Sequence, residues 1–191
     1  MYGIIHRAIR STVLTHADDT VWASVLDKAG LSEEHFLSPA PYSDAVTYRL
    51  VDSVADTLGL DRAEAFRVVG RHWVEYATGA GYGSIFSMAG EDLGTFLSNL
   101  DRMHNSLRGS LPDAKMPSFD LTAASPNGWE IFYKSERTGL ATFVEGILEG
   151  VCIHYGEDVR IEWHAVQDGV QFTLDRLRAQ AGLDRGAGVA A

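Results

Sequence analysis

The stretch Trp129-Glu130-Ile131-Phe132-Tyr133-Lys134-Ser135-Glu136-Arg137-Thr138-Gly139-Leu140-Ala141-Thr142-Phe143-Val144 changes its period partway along. Trp129 to Ser135 alternates with period two, the pattern of a half-buried strand. From Gly139 to Tyr155 the period becomes helical, and Leu140, Phe143, Val144, Ile147, Leu148, Val151 and Tyr155 form one broad apolar face. Downstream and just upstream the alternation returns, in Ser118 to Leu121, Asp158 to Val166 and Val170 to Leu174. Asn127-Gly128 and Asp168-Gly169 are tight-turn pairs between these segments. A long helix inside a run of hairpin strands predicts an antiparallel sheet of about four strands.

The first hundred residues read differently. Ile4, Ile5, Ala8, Ile9 and Val13 recur at helical spacing, and Trp22, Val25 and Leu26 continue the pattern until Gly30. Ser38-Pro39-Ala40-Pro41 marks a boundary that helix cannot cross. Val46, Leu50, Val51, Val54 and Leu58 make the next stripe, closed by Gly59. Asp61-Arg62-Ala63-Glu64 has the form of a capping box, in which the first residue caps free amides and the fourth reaches back. It opens a helix through Phe66, Val69 and Trp73, and Gly79, Gly81 and Gly83 place a loop over Thr78 to Ser84. Glu91 to Leu107 is helical again, stopped by Gly109 and Pro112. The fold class is α+β: a helical N-terminal part, then the sheet with its one long helix.

Composition narrows the function. The 191 residues carry 26 acidic and 16 basic side chains, a net charge of −10, the opposite of what a phosphate backbone attracts, so no nucleic-acid partner is expected. A single cysteine forms no internal disulfide. His6, Arg7 and Arg10 interrupt the opening apolar run and no secretory cleavage pattern follows. No stretch approaches the roughly 18 apolar residues of a membrane span. The expectation is a cytoplasmic protein with one domain over residues 1–180, made of a helical subdomain (1–60) and a core (61–180), and a disordered tail at 181–191.

Two features carry chemistry. Counting back from His104 by 4, 7 and 11 residues reaches Leu100, Leu97 and Leu93, which puts the imidazole on a buried helix face. Such a histidine is either a core residue bonded to a carbonyl or a single axial ligand to a metal macrocycle. The second feature is Tyr133-x-Ser135-x-Arg137. If the strand persists to Arg137, two hydroxyls and a guanidinium share one face and suit a ligand with closely spaced carboxylates; otherwise they are the outer face of an amphipathic strand. A buried base followed by a dianion clamp 29 residues on is what a haem requires.

With these residues the sequence resembles the H-NOX family, the haem nitric oxide/oxygen-binding domains of soluble guanylate cyclase and of standalone bacterial proteins. The resemblance covers roughly residues 1–180: Met1-Tyr2-Gly3, Leu97 to His104, Met116-Pro117-Ser118-Phe119, Tyr133-x-Ser135-x-Arg137-x-Gly139-Leu140 and Gly146 to Gly150. It implies haem b, with His104 as proximal iron ligand, Tyr133, Ser135 and Arg137 holding the propionates, and Pro117 pressing on the macrocycle. Asp44 is the nearest match to an acidic residue that steadies the clamp arginine, or else a helix N-cap.

The family's oxygen binders use a distal tyrosine, and the matching position here is Phe143, which has no donor. The resemblance therefore implies a non-enzymatic sensor of NO, binding CO as well, that excludes O₂ through an apolar pocket walled by Phe143, Ile5, Ile147 and Trp73. The Trp73 indole N–H is the donor that would oppose this, and Ile9 adds to the wall. In the family NO commonly weakens the bond opposite it, freeing the histidine's helix. No output domain fits within the 191 residues, so the implied signal passes in trans to a histidine kinase or a cyclic-di-GMP cyclase or phosphodiesterase. An O₂ or redox sensor and a peroxidase-type haem enzyme are the alternatives. The latter wants a distal acid–base group, and His72, the nearest histidine, is placed off the pocket face. Cys152, His154 and His164 make too poor a ligand set for zinc.

Overall fold

Four antiparallel strands, β1 (Ser118–Ser125), β2 (Gly128–Lys134), β3 (Val159–Val166) and β4 (Gly169–Arg176), lie in the order β1-β2-β4-β3. The computed structural model describes residues 1–32, 36, 40–107, 109, 111 and 113–177. The predicted breaks at Ser38-Pro39 and Pro112 and the predicted tail at 181–191 lie outside these residues. Both predicted hairpins form. Asp168 sits at φ 67°, the left-handed geometry that an Asp-Gly turn requires. At Gly128 (φ 149°) a Cβ would collide with the Leu174 carbonyl, so only glycine lets β4 approach there.

The helices follow the apolar stripes. They are α1 (Gly3–His16), α2 (Asp19–Ala29), α3 (Asp44–Leu58), α4 (Arg62–Ala77), α5 (Gly83–Ala89), α6 (Leu93–Leu107) and α7 (Ala141–His154). Gly30 and Gly59 end α2 and α3 in the left-handed conformation. Asp61 accepts from the Glu64 amide at 2.8 Å, one half of the predicted box. The Glu64 carboxylate turns instead toward Arg67, 3.6 Å away. The predicted loop at Thr78 to Ser84 is a correction: Thr78–Tyr82 is a π-helical turn and α5 follows directly. Ala80, Gly81 and Tyr82 leave helical angles, and of the three glycines only Gly81, at φ 95°, takes the left-handed region, so the chain kinks here and helix resumes at once.

The apolar side chains gather in two cores. One holds the inner face of the sheet (Ile131, Tyr133, Phe172, Leu174) against α6 and α7. The other packs α1, α2 and α3 through Ile9, Val13, Trp22, Leu50 and Val54. Helix α4 serves both, giving Phe66 and Val69 to the N-terminal core and Val74 and Ala77 to the sheet core. It lies unusually close to α7, because a Cβ at Gly70 would strike the Phe143 carbonyl and one at Gly146 the Arg67 carbonyl. Arg67 Nε donates to Glu149 Oε1 at 2.8 Å across the same contact.

Candidate functional site

Helix α6 presents Leu93, Leu97 and Leu100 to the sheet core, and His104 follows on that face one turn later. The ring is half-buried. His104 Nδ1 donates to the Leu100 carbonyl at 2.9 Å, and because a carbonyl only accepts, this bond fixes the tautomer and leaves the lone pair on Nε2. Burial lowers the imidazole pKa, against the raising effect of the Leu100 bond and of Asp101, so the ring is neutral near pH 7. Its face stacks on Phe119, centroids 5.2 Å apart. Phe119 in turn tilts against Tyr133 at 5.2 Å, so the three rings form a row from α6 across β1 to β2.

Two contacts here were missed from sequence. Asp101 Oδ1 accepts the Phe119 amide at 3.2 Å, tying α6 to β1 one turn before His104. Spacing could have suggested Asp101, three residues before His104 on the same helix. Lys115 acts through its carbonyl, which accepts from Arg137 Nη1 at 2.6 Å, and a backbone group leaves no trace in a sequence. Pro117 is half-buried two residues after Lys115, immediately before β1.

The Tyr133, Ser135 and Arg137 set comes together, but not on a strand. β2 ends at Lys134, so the expectation that the strand continues to Arg137 is corrected. Ser135 Oγ accepts the Arg137 amide at 3.1 Å, a local turn that competes with strand pairing and folds the chain. Burial raises the Tyr133 pKa, opposed by the Ser135 hydrogen bond and the Arg137 charge, so the phenol keeps its proton as a donor. Arg137 Nε donates to Asp44 Oδ2 at 2.9 Å. Asp44 is therefore the partner of the arginine, while the N-cap of α3 is Ser43. The Met1 ammonium also donates to Asp44, at 2.7 Å. Burial alone would raise the Asp44 carboxyl, and the hydrogen bonds from the Met1 ammonium and Arg137 outweigh it and hold it below the usual range.

The remaining predicted residues divide between the two cores. Trp73 and Ile147 pack on the sheet core with Met103 and Phe119. Ile5 and Phe143 pack on the N-terminal core, where Phe143 meets Phe66 edge-on at 6.4 Å. With Met1, Ile9, Val51 and Val69 they line a seam too narrow for water. His72 is structural, its Nε2 within 2.8 Å of Ser11 Oγ, joining α4 to α1. Cys152 is buried and its thiol is pushed up to about 12, mainly by that burial, so it is inert near neutral pH. His154 packs on Phe86, and His164 lies exposed on β3.

The donor set fits a haem. It combines one neutral imidazole with an oriented lone pair, a protonated phenol and a serine hydroxyl. Arg137 adds Nη2, which has no protein partner among the described residues. Half-buried apolar side chains from both cores complete the surroundings.

Comparison with known proteins agrees. The model of the haem-NO-binding family matches residues 2–163. Soluble guanylate cyclase gcy-33 of Caenorhabditis elegans is 26% identical over 179 residues, 93% of this chain and 19% of that protein. Soluble guanylate cyclase 89Da of Drosophila melanogaster is 26% identical over 165 residues, 84% of this chain and 24% of that protein. The chain thus spans about a fifth of the length of the cyclases it matches. Among solved structures, an H-NOX protein from S. oneidensis in the Fe(II)NO state superposes with a TM-score of 0.82 at 17% identity, over 93% of this chain and all of that one. An oxygen-binding H-NOX domain, solved as its oxygen complex, gives 0.76 at 19% identity, over 94% of this chain and 96% of that one. These two likenesses establish the α+β fold.

Proposed function

Because this chain belongs to the haem-NO-binding family, a haem gas-sensor domain related to soluble guanylate cyclase and not itself catalytic, we propose that it senses NO at ferrous haem b and signals in trans. His104 would hold the iron through Nε2, and Tyr133, Ser135 and Arg137 would hold the propionates. The observation that carries this reading is the His104 tautomer: Nδ1 is committed to the Leu100 carbonyl and Nε2 is left free. When bound, the haem would supply an iron able to take a diatomic gas.

The protein's own part is to orient and to exclude. The Asp101–Phe119 bond and the Phe119 stack hold the His104 ring in one plane. The half-buried Pro117 would press on the macrocycle from the connection that also gives Arg137 its carbonyl partner. Phe143, Ile5 and Ile147 carry no side-chain hydrogen-bond donor for a polar gas ligand, which favours NO and CO over O₂. Trp73 is the one wall residue with an N–H, and no bond to it is present among the described residues, which is what supports O₂ binding as the second reading. Among the described residues no helix is long and apolar enough to cross a membrane, and a cytoplasmic setting is part of this proposal. The acidic surface favours a partner with a basic patch, and a histidine kinase or a cyclic-di-GMP enzyme fits that role.

Absorption spectra of the ferrous protein test the reading. A Soret band that shifts with NO and CO but not in air is expected. A colourless protein after porphyrin is supplied would overturn haem binding, and a stable oxygen complex in air would move the assignment to O₂.

A further inference from the structure

Away from the residues assigned to haem, α1, α3 and α4 leave a cavity of about 240 Å³ between them. It is lined by Thr12, His16, Val54, Leu58, Leu60, Ala65, Val68 and Val69, of which only Thr12 and His16 are polar. Thr12 Oγ1 gives its one proton to the Ala8 carbonyl at 2.9 Å and lies buried, away from the mouth. His16 Nδ1 donates to the Thr12 carbonyl at 2.9 Å, so its lone pair is on Nε2, where no protein group meets it among the described residues. His16 is exposed, Leu58 and Leu60 are half-buried, and Val54, Ala65 and Val69 are buried, so the space has a wet mouth at His16 and a dry floor. On α3 between Val54 and Leu58, the Thr57 hydroxyl is buried without a partner among the described residues.

An apolar cavity of roughly 150 Å³ is enough to hold benzene or xenon, and this one is larger and carries a single acceptor at its opening. We propose that it binds a small amphiphile, a bicyclic aromatic or an aliphatic chain of similar bulk, with one hydroxyl or N–H directed at His16 Nε2. The body fills the floor among Val54, Ala65, Val68 and Val69, and the donor stays at the mouth. Because all three helices contribute walls, an occupant fixes α1 against α3 and α4. The site is independent of haem and of the gas that the protein senses.

The test uses 2-naphthol and naphthalene as probes, which differ by one donor, with binding to the haem-loaded full chain followed by ligand-observed NMR. Saturable binding at one site is expected, with 2-naphthol tighter by about five-fold, the usual worth of one net hydrogen bond. Val68→Trp fills the cavity and abolishes binding of both. His16→Phe, a change at an exposed position, leaves naphthalene bound and removes the preference for 2-naphthol. Absence of saturable binding to the native chain, binding unchanged in folded Val68→Trp, or a preference that survives His16→Phe would each overturn the proposal. Should Val68→Trp not fold, the His16→Phe comparison decides alone.

Discussion

Arg137 Nε and Asp44 Oδ2 meet at 2.9 Å although 93 residues separate them, and this pair joins the clamp beyond β2 to the first turn of α3. The arginine side chain is 13% exposed and the aspartate 31%, so the pair is shielded on one side only. Asp44→Asn is expected to cost about 1.5–3 kcal/mol, the range for hydrogen bonds to charged groups. Urea unfolding of Asp44→Asn, Arg137→Gln and the double variant measures it. Additive losses would show that the two side chains act separately.

Loss of the imidazole should empty the site without unfolding the chain, because the His104 ring is only half-buried. His104→Gly is expected to purify without haem from ordinary medium and to regain a Soret band when imidazole is supplied. A normal five-coordinate ferrous spectrum in the variant without added imidazole would remove His104 from the ligand role.

A donor introduced at Phe143 tests the gas preference. Phe143→Tyr places a hydroxyl on the α7 face toward Ile5 and Val69 and is expected to produce a measurable oxygen complex. Spectra in air that match the native protein would show that position 143 does not face the gas.

The α4–α7 contact has no room for side chains at its glycines, where the obstacle to a Cβ is backbone. Gly146→Ala is expected to destabilise by about 2 kcal/mol or more, within the range for forcing bulk into a packed core. A change below ~0.5 kcal/mol in a denaturation midpoint would mean the helices separate freely. Gly109→Ala, at an open position outside any helix, serves as the control.

His6 sets an acid limit. It is fully buried beside Thr47 at 2.8 Å, and its pKa is held down to about 4, first by burial and then by the nearby Met1 ammonium. An unfolded histidine takes its proton near 6.5 while the folded one waits until about 4. The unfolded state therefore binds more protons in that window, and stability falls as pH drops through it. The loss attributable to His6 across that window is about 3 kcal/mol, at roughly 1.36 kcal/mol per pH unit. His6→Asn should flatten this limb of the stability profile, and a profile unchanged by the substitution would place the acid sensitivity elsewhere.

Much of this was legible in the residues, and the failures have physical causes. Period two and period 3.6 separated sheet from helices because each element buries one face. Asn127-Gly128 and Asp168-Gly169 located both hairpins because their turns demand unusual backbone angles. The glycines at 79, 81 and 83 misled, since helix resumes directly after the short kink at Ala80 to Tyr82. At the site, Tyr133, Ser135 and Arg137 were singled out as a group, but the condition set for it, a strand running on to Arg137, is not met, because β2 ends at Lys134. The Ser135 hydroxyl takes the Arg137 amide, a local bond that alternation does not register. Lys115 escaped because it contributes a main-chain oxygen. Phe143 packs on the N-terminal core and Trp73 on the sheet core, a division set by tertiary packing that periodicity does not register.

Helix α4 has the further effect of making the two halves inseparable. A cut at the expected subdomain boundary between residues 60 and 61 would leave the front fragment without Phe66 and Val69 to cover Ile9 and Leu50, and would leave the rear fragment with those same side chains bare to water. Neither piece could then be studied as a free-standing module, and a single melting event for the whole unit follows from one helix being owned by both.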